Sequence, residues 1–558
     1  MNRLWVVQRA NKDYVEYLGR ATGISSALAR ILINRGIKTP EAVSGFFSGD
    51  IRGLMDPLEM KGIAGAVRTI TLAKSSGKPV LVHGDYDVDG VASAAIMVEA
   101  LRRFGLSADY FIPNRFDHGY GFHEEAVSRA MRMGAGLIVT TDCGITAFET
   151  ARLARENGLE VVITDHHEPE RDAEGNPLVP GAAALINPKL SSGEPELSGA
   201  GVAFKLAQAL LGDDALSLLD FAALGTLADM VPLTGENRLI AKAGLELIGS
   251  SERAPIKALK EIAGCPGRPG SRPVSFGLIP RLNASGRLGD ASQAVRFLLS
   301  DREEDAYGAA RELDRINKER QRLEEAVHAE ARAAIEREGF EGAIVVSGEG
   351  WHRGVLGIVA SRIAEKYRRP CVVLSVESDL ARGSARSIPQ FNLHEGLSEL
   401  REMLITFGGH KQAAGLKLQA GMIGKFRSAL SRLVLDRVPD FRATLKIDAD
   451  VALRELSMNQ VREMCRLEPY GFGNPEPLLG AKGLEILNPR VVGKGHLKMK
   501  LSQQGHFPVD AIGFDMADAM RHLEEAAAVD AAFTPVINEW EGGRAVQLNL
   551  KGLRPAVS

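Results

Sequence analysis

The chain has 558 residues, of which 45% are hydrophobic and 25% charged, and its formal net charge is −3. This length predicts three or four domains at about 150 residues each. No apolar run approaches the roughly 20 residues of a membrane span, the first residues lack the apolar core of a signal peptide, and four scattered cysteines without a C-x-x-C exclude a thiolate zinc site and a disulfide framework. We therefore expect a cytoplasmic protein, in which any polyanion is held by a local basic patch.

The first part of the chain changes character near residue 79. Residues 1–50 form an N-terminal segment with helical stretches such as "GISSALARILINRG", to which the sequence assigns no role. Over residues 51–300, short apolar runs alternate with amphipathic stretches, beginning with "PVLVHG" and "VASAAIMVEALRRFG". This alternation predicts βαβ units around a parallel sheet. Ligands of such sheets bind beyond the carboxyl ends of the strands.

The second half of the sequence predicts three further structural units. Residues 301–339 contain no proline and carry apolar side chains at helical spacing amid mixed charge, which predicts a long connecting helix. Residues 340–440 read as a second α/β domain, and residues 441–558 as short strands punctuated by Gly, Asn and Pro. Such strands predict a small barrel. The expected fold class is an α/β multidomain protein with a C-terminal β-barrel.

An acidic loop follows the first predicted strand. The segment "HGDYDVDG" places Asp85, Asp87 and Asp89 at alternate positions before Gly90. A calcium loop of the EF-hand type is excluded, because its twelfth position would be Ile96 and because a strand precedes it. A solvated acidic turn is the alternative to a cation site.

Other strand ends carry similar residues. Asp142 follows "GLIVTT", the run "LEVVIT" ends in Asp165, His166 and His167, and "GTLADMVPL" contributes Asp229. Together with the acidic loop, three strand ends of one sheet would meet with carboxylates and imidazoles. This mixture favours Mn²⁺ or Mg²⁺. So many anionic ligands suit two ions about 3.5–4 Å apart, an arrangement that serves phosphoryl transfer.

The motifs "HGDYDVDG", "TTDCG", "TDHH" and "ALGTLADMVPL" resemble the DHH phosphoesterase superfamily. "FIPNRFDHGYGF", "SGAGVAFKL", "IPRLNASGRLG", "GGHKQAAG" and "EPYGFGNPEP" make the chain similar to the RecJ family of single-strand-specific 5′→3′ DNA exonucleases, from about residue 50 to the end. The resemblance implies a DHH catalytic domain, a DHHA1 substrate-binding domain and an OB-fold domain.

The resemblance also implies roles for the polar residues. The implied metal ligands are His83, Asp87, Asp89, Asp142, His166 and Asp229, with Asp142 as the bridge. Asp85 and His167 would complete the catalytic set with Asp142 and His166. His167 is a candidate acid, and a purely structural hydrogen bond is the alternative for it.

Residues for the substrate are expected outside the metal site. The resemblance implies that Arg115, Ser384 and Arg386 hold a 5′-terminal phosphate. We also assign substrate binding to Arg287 and to His410, the latter in "GGHKQAAG", which we expect to be a glycine-rich turn opening onto a helix N-terminus.

Two further signals are open to a structural or a functional interpretation. Tyr120 and Phe122 flank a glycine, and they either pack in the core or stack on bases at about 1–3 kcal/mol each. Lys494 and Lys498 in "RVVGKGHLKMK" either contact DNA or lie on a solvated face.

The expected function is a single-stranded-DNA-specific 5′→3′ exonuclease that uses two ions to release 5′-mononucleotides in DNA repair and recombination. Single-stranded DNA is the expected partner, and a single-strand-binding protein and a RecQ-type helicase are candidate protein partners. One alternative is a DHH-family phosphatase or oligonucleotidase for small substrates. Another is a non-catalytic replication scaffold, which would have lost its ligand residues.

Overall fold

The computed structural model describes residues 3–493, 495–504, 506–522, 528–540 and 543–556. The chain begins with β1 (Leu4–Val7), α1 (Lys12–Thr22), α2 (Ser26–Asn34) and α3 (Pro40–Ser48). Asn11, Ser25 and Thr39 precede the three helices, and each side chain accepts a hydrogen bond from a backbone N–H three residues on. Such caps satisfy N–H groups that the first helical turn leaves unpaired.

The first large domain is built on a five-stranded parallel sheet. Its elements are α4 (Ile63–Ser76), β2 (Val80–His83), α5 (Val88–Arg103), β3 (Ala108–Phe111), α6 (Glu124–Arg132), β4 (Leu137–Thr141), α7 (Phe148–Glu156), β5 (Glu160–Thr164), β6 (Ala184–Ile186), α8 (Gly199–Leu211), α9 (Leu219–Ala228), α10 (Gly235–Ser250), α11 (Ala254–Ile262), α12 (Ser271–Pro273), α13 (Ile279–Leu288) and α14 (Ser292–Leu298). The strand order is β3-β2-β4-β5-β6. Strands β2 and β4 are buried along their whole length, as expected where helices cover both faces of a sheet.

A single helix, α15 (Glu303–Glu338), leads to the second domain. Its 36 residues span about 54 Å. The second domain comprises β7 (Ile344–Glu349), α16 (Arg353–Tyr367), β8 (Cys371–Glu377), β9 (Leu380–Arg386), α17 (Leu393–Glu399), β10 (Thr406–Gly409), β11 (Ala413–Gln419) and α18 (Ile423–Arg437). Its sheet has the order β10-β11-β9-β8-β7, with one parallel pair, β7–β8.

The C-terminal domain is a closed barrel. It contains β12 (Thr444–Ile447), β13 (Ala449–Asp450), α19 (Met458–Cys465), β14 (Leu479–Val492), β15 (His496–Ser502), β16 (Val509–Gly513), β17 (Val529–Trp540) and β18 (Gly543–Pro555). The five long strands follow the order β14-β15-β16-β18-β17, and β17 pairs back onto β14. The predicted fold class is confirmed.

The N-terminal segment packs on this barrel. Strand β1 pairs in parallel with β12, and helices α1 and α2 share one apolar core with the barrel strands. The Asn34 side chain donates a hydrogen bond to the carbonyl oxygen of Asp448 at 2.7 Å, and both carboxylate oxygens of Glu463 accept from the Ser25 N–H at 3.1 Å. The first 50 residues, which had no role at the level of sequence, therefore complete the C-terminal domain.

No helix in the described ranges combines the length and the apolar character that a bilayer crossing requires.

Candidate active site

The acidic loop lies between strand β2 and helix α5. Asp87 caps α5 by accepting a hydrogen bond from the Gly90 N–H at 3.1 Å. Asp89 lies in the first turn of α5 and accepts hydrogen bonds from Gly199 N–H at 2.7 Å and Ala200 N–H at 2.8 Å, the first amides of α8. A side chain at Gly199 would collide with the Asp142 carboxylate, so the glycine of "SGAGVAFKL" lets α8 approach the site.

Four elements, α5, β4, β5 and α9, bring their ends to the same place. Asp142 follows β4, His166 lies just beyond β5, and Asp229 ends α9. The Nε2 atom of His166 lies 3.1 Å from Oδ1 of Asp142, 3.7 Å from Oδ2 of Asp229 and 3.8 Å from Oδ2 of Asp89. The sequence therefore predicted correctly that these distant side chains meet at one edge of the sheet.

The side chains form three overlapping groups that could each hold an ion. The groups are Asp85–Asp87–Asp142, Asp89–His166–Asp229 and Asp142–His166–His167, and within each group the ligand atoms lie within 4.8 Å of one another. Asp142 belongs to two of the groups, which suits the bridging position expected for it. The first two groups share no residue, so they could hold two ions.

The electrostatics of the site fit divalent cations. Burial, followed by the charges of neighbouring carboxylates, raises the pKa of Asp85, Asp89 and Asp142 well above the ordinary value of 3.8. One oxygen of Asp85 and one of Asp142 are buried without a hydrogen-bond partner among the described residues. Uncompensated buried carboxylates are costly. Mn²⁺ or Mg²⁺ would satisfy these oxygens, and the donor set of carboxylates with imidazole suits both ions.

His83 lies beside these groups but belongs to none of them. Its ring packs against Phe111 and Phe122, with centroid distances of 5.5 and 5.3 Å, and its Nδ1 lies 3.5 Å from the sulfur of Cys143. Burial lowers the pKa of His83 to about 3. The ligand groups therefore lend no support to its predicted metal role, although its Nε2 is buried without a partner in the described chain.

Asp165 organises the loop after β5. Its carboxylate accepts hydrogen bonds from the backbone N–H groups of Ile145, His166 and His167 at 2.7–3.0 Å. Burial alone would raise its pKa, but the hydrogen bond with the His167 side chain lowers it below 3.8. The sequence named Asp165 without assigning it this role, because only the folded loop shows which amides point at it.

His167 is held by two partners. Its Nδ1 lies 2.8 Å from Oδ1 of Asp165 and 2.8 Å from the hydroxyl oxygen of Tyr120. Burial alone would lower the pKa of His167, but the hydrogen bond with Asp165 outweighs burial and raises it to about 9. A ligand atom of His167 also lies in the group with Asp142 and His166, so the His167 side chain borders the metal site.

Tyr120 and Phe122 have different environments. Tyr120 is 44% exposed, whereas Phe122 is only 4% exposed and packs in a core with Leu81 and Phe111. The base-stacking interpretation of Phe122 is therefore wrong, because its ring has no free face.

Three arginines, Arg115, Arg287 and Arg386, lie next to the acidic site. Burial, followed by the charge of Arg115, lowers the pKa of Arg287 to about 10, and the same two causes lower the pKa of Arg386. Asp87 is the carboxylate that opposes this effect on Arg287. Among the described residues, none of the three guanidinium groups forms an ion pair with a carboxylate, so all three remain available to an anionic ligand.

Arg115 of this cluster lines a cavity between the two α/β domains. Its volume is about 570 Å³. The first domain contributes Arg115, Phe116 and Gly119, and the second contributes residues of α16 and of strands β9, β10 and β11, including Ser384. A Cβ atom at Gly357 of α16 would lie 2.9 Å from Nη2 of Arg386 and 3.6 Å from Oγ of Ser384. The glycine therefore allows α16 to pack directly behind these two side chains.

The segment "GGHKQAAG" differs from the expectation. It forms the end of β10, a turn and the start of β11, so no helix N-terminus is present there. His410 is exposed at the turn and is not part of the cavity lining, whereas Gly408 and Gly415 do line it. The prediction was wrong because the glycine-rich run suits a hairpin turn as well as a helix start.

The barrel carries part of the predicted basic patch. Lys498 lies on β15 between the buried residues Leu497 and Met499, so it faces outward, and it pairs across the sheet with Arg490. Lys494 lies outside the described residues.

A strap, residues 468–477 ("EPYGFGNPEP"), joins the barrel domain to the segment after Asp229. The carbonyl oxygen of Phe472 accepts a hydrogen bond from Leu233 N–H at 2.7 Å. The Arg238 side chain donates to the carbonyl oxygens of Leu467 at 2.8 Å and Glu468 at 2.9 Å. The sequence identified this motif but did not show that it contacts Leu233, four residues after the candidate ligand Asp229.

Comparisons with known proteins agree with this architecture. The model of the DHH family N-terminal domain matches residues 79–226, that of the DHHA1 domain matches 341–436, and that of the RecJ OB domain matches 447–552. The chain is 38% identical over 558 residues to the single-stranded-DNA-specific exonuclease RecJ of Bacillus subtilis, covering 98% of this chain and 70% of that protein. It is 34% identical over 583 residues to the protein of the same name from Escherichia coli, covering 98% and 99%.

A solved structure matches the whole fold. The crystal structure of RecJ from Thermus thermophilus in complex with Mn²⁺ superimposes with a TM-score of 0.86 and 32% identity, covering 100% of this chain and 80% of that one. The chain therefore belongs to the RecJ family.

Proposed function

We propose that this chain is a single-stranded-DNA-specific exonuclease that removes 5′-mononucleotides from the 5′ end, with two Mn²⁺ or Mg²⁺ ions as cofactors. One observation carries this proposal. A cluster of buried carboxylates and imidazoles lies beside three arginines that form no ion pair with a carboxylate of the described residues, at a cleft between two domains. The first cluster suits phosphodiester hydrolysis, and the second suits a terminal phosphate.

The bound cations would be held by Asp85, Asp87, Asp89, Asp142, His166 and Asp229. When bound, they would supply Lewis acidity that activates water and stabilises negative charge on the attacking and leaving oxygens.

The arginine cluster sets the polarity. Arg115, Arg386 and Ser384 hold the 5′-terminal phosphate, and Arg287, which interacts electrostatically with Asp87 and with both other arginines, adds positive charge beside them. A guanidinium binds phosphate through two parallel hydrogen bonds, so the end of the strand is fixed in position. The next phosphate along the strand would then lie against the cations that the carboxylate cluster holds, and cleavage removes one nucleotide.

His167 protonates the leaving group. Hydroxide derived from water attacks phosphorus, the bond between phosphorus and the 3′-oxygen breaks, and its electron pair stays on that oxygen, which takes a proton from Nε2 of His167. The hydrogen bond between Nδ1 and Asp165 stabilises the charged imidazole before the transfer.

The outer surface fits a longer substrate than a dinucleotide. Lys498 and Arg490 lie side by side on the barrel, and we assign to them contacts with phosphates of the strand beyond the cleft. This patch favours a nuclease over a small-molecule phosphatase. We further propose a cytoplasmic role in DNA repair and recombination, with a single-strand-binding protein and a RecQ-type helicase as partners.

The test is hydrolysis of single-stranded DNA labelled at either end, with Mn²⁺ present. Wild-type protein should release labelled mononucleotide from the 5′ end, and Asp142→Ala should lose this activity. Asp214→Ala, which removes an exposed carboxylate elsewhere in the domain, is the matched control and should keep it. Full activity of Asp142→Ala, or release from the 3′ end, would contradict the proposal.

A further inference from the structure

Tyr120 lies on a loop that is shaped to present it. The residues on either side, Gly119 and Gly121, have φ angles of 84° and 111°, a backbone region that L side chains rarely adopt. The loop is anchored on one side by Asn114, whose carbonyl oxygen accepts from His118 N–H at 2.9 Å, and on the other by the buried ring of Phe122. Between these anchors Tyr120 projects toward the metal site.

The Tyr120 hydroxyl group touches two parts of that site. Its oxygen lies 2.8 Å from Nδ1 of His167 and 3.4 Å from the backbone carbonyl oxygen of Asp142. The Tyr120 ring meets the His167 ring edge to face, with centroids 5.2 Å apart. The φ angle of Asp142 is 63°, an uncommon value for a residue other than glycine. The hydroxyl group thus links the loops that follow β4 and β5.

The neighbouring groups determine the direction of these hydrogen bonds. Oδ1 of Asp165 lies 2.8 Å from the same Nδ1 of His167. A carboxylate can only accept, so the proton on Nδ1 points at Asp165 and is shared with the Tyr120 oxygen. The Tyr120 proton is then free to point at the Asp142 carbonyl. With Nδ1 held from two sides, the plane of the imidazole is fixed and Nε2 is left for the substrate.

We propose that Tyr120 is a positioning residue for the proton-transfer step, in which its hydroxyl group holds the imidazole of His167 against the backbone of Asp142. The proposal rests on the exonuclease function and on the acid role of His167. It differs from base stacking, one of the two interpretations that the sequence left open for Tyr120, because stacking needs only the ring.

Two substitutions separate the ring from the hydroxyl group. Tyr120→Phe keeps the ring and should lower kcat roughly tenfold with an unchanged KM for single-stranded DNA, since about one hydrogen bond is lost. Tyr120→Leu removes both groups and reports any additional effect on KM. Tyr110→Phe is the matched control: Tyr110 is partly buried on β3, its hydroxyl lies 3.4 Å from the Ser292 carbonyl oxygen, and its loss should change neither constant.

A substrate with a better leaving group tests the link to proton transfer. If sulfur replaces the bridging 3′-oxygen of the first nucleotide, the phosphorus–sulfur bond breaks and the thiolate leaves without a proton. The deficit of Tyr120→Phe and of His167→Gln should then largely disappear. A deficit of Tyr120→Phe that persists undiminished on the sulfur substrate would overturn the proposal.

A measurement that does not depend on catalytic turnover, the NMR signals of the His167 ring, completes the test. In protein labelled with ¹⁵N-histidine and kept free of divalent ions, His167→Gln assigns the His167 ring signals. Tyr120→Phe should shift these signals, and Tyr110→Phe should not. If the wild-type protein is an active nuclease, then unshifted His167 signals in Tyr120→Phe, or a kcat of Tyr120→Phe equal to that of the wild type, would refute the positioning role. A wild-type protein inactive on DNA would instead refute the exonuclease function.

Discussion

Gly357 offers a test of the phosphate pocket that removes none of its side chains. A Cβ atom at this position of α16 would lie 2.9 Å from Nη2 of Arg386 and 3.6 Å from Oγ of Ser384. Because Nη2 is the far end of a flexible side chain, Gly357→Ala should displace the Arg386 guanidinium and leave the helix in place.

Gly357→Ala should make the folded state more stable and, at the same time, weaken the binding of 5′-phosphorylated DNA. Replacing glycine by alanine in a helix interior stabilises the folded state by about 0.8–1.0 kcal/mol. A hydrogen bond to a charged group contributes about 1.5–3 kcal/mol, so its loss should raise KM for 5′-phosphorylated DNA at least about tenfold. DNA with a 5′-hydroxyl end should be cleaved as by the wild type, because it does not use that bond.

The assay compares KM for both kinds of DNA end and the melting temperature. Gly308→Ala is the control: Gly308 lies exposed within α15 and a Cβ atom there would meet nothing within 4 Å, so only stability should rise. If Gly357→Ala keeps the full preference for 5′-phosphate ends, Arg386 does not hold that phosphate.

Three further predictions concern the metal site and the barrel. Asp142→Asn should abolish binding of Mn²⁺ as measured by calorimetry and lower kcat by at least about a hundredfold, the scale of losing one group that stabilises a transition state. Burial and neighbouring carboxylates raise the pKa of Asp89 above 3.8, so the metal-free fold should lose stability as pH rises above about 4. The gain in melting temperature on adding Mn²⁺ should therefore be larger at about pH 8 than at about pH 5. An equal gain at both pH values would contradict this prediction. Lys498→Ala should reduce the salt dependence of binding to single-stranded DNA by about 0.7 in the logarithmic slope, whereas Lys551→Ala, on another barrel strand, should not.

The arrangement of the metal site could be predicted because it depends on topology. Parallel strands place their carboxyl ends at one edge, so Asp87, Asp142 and His166 had to meet once the alternation of strands and helices was recognised. The contacts that support them are not visible in the sequence. The packing of distant segments decides which amides donate to Asp165, and it also brings the first amides of α8 to Asp89.

Predictions from local sequence patterns were wrong where the same residue type is compatible with two different structures. Tyr120 and Phe122 are alternate aromatic residues of one loop, and only packing decides that Phe122 turns into the core. The glycines of "GGHKQAAG" permit a hairpin turn as readily as a helix start, and His410 is therefore displaced from the cavity. The first 50 residues gave no clue to their partner, because that partner lies more than 400 residues away in the chain.

The pairing of Leu4 with Thr444 has a consequence for biosynthesis. At about 5–20 residues per second, a ribosome needs roughly 20–90 s to make the chain between these two strands. During that interval the apolar faces of α1 and α2 have no barrel to cover them, while the parallel-sheet domain can already fold. The C-terminal domain is thus completed after the parallel-sheet domain, although its helices α1 and α2 are synthesised before that domain, and a chaperone that shields nascent apolar helices would act on these two.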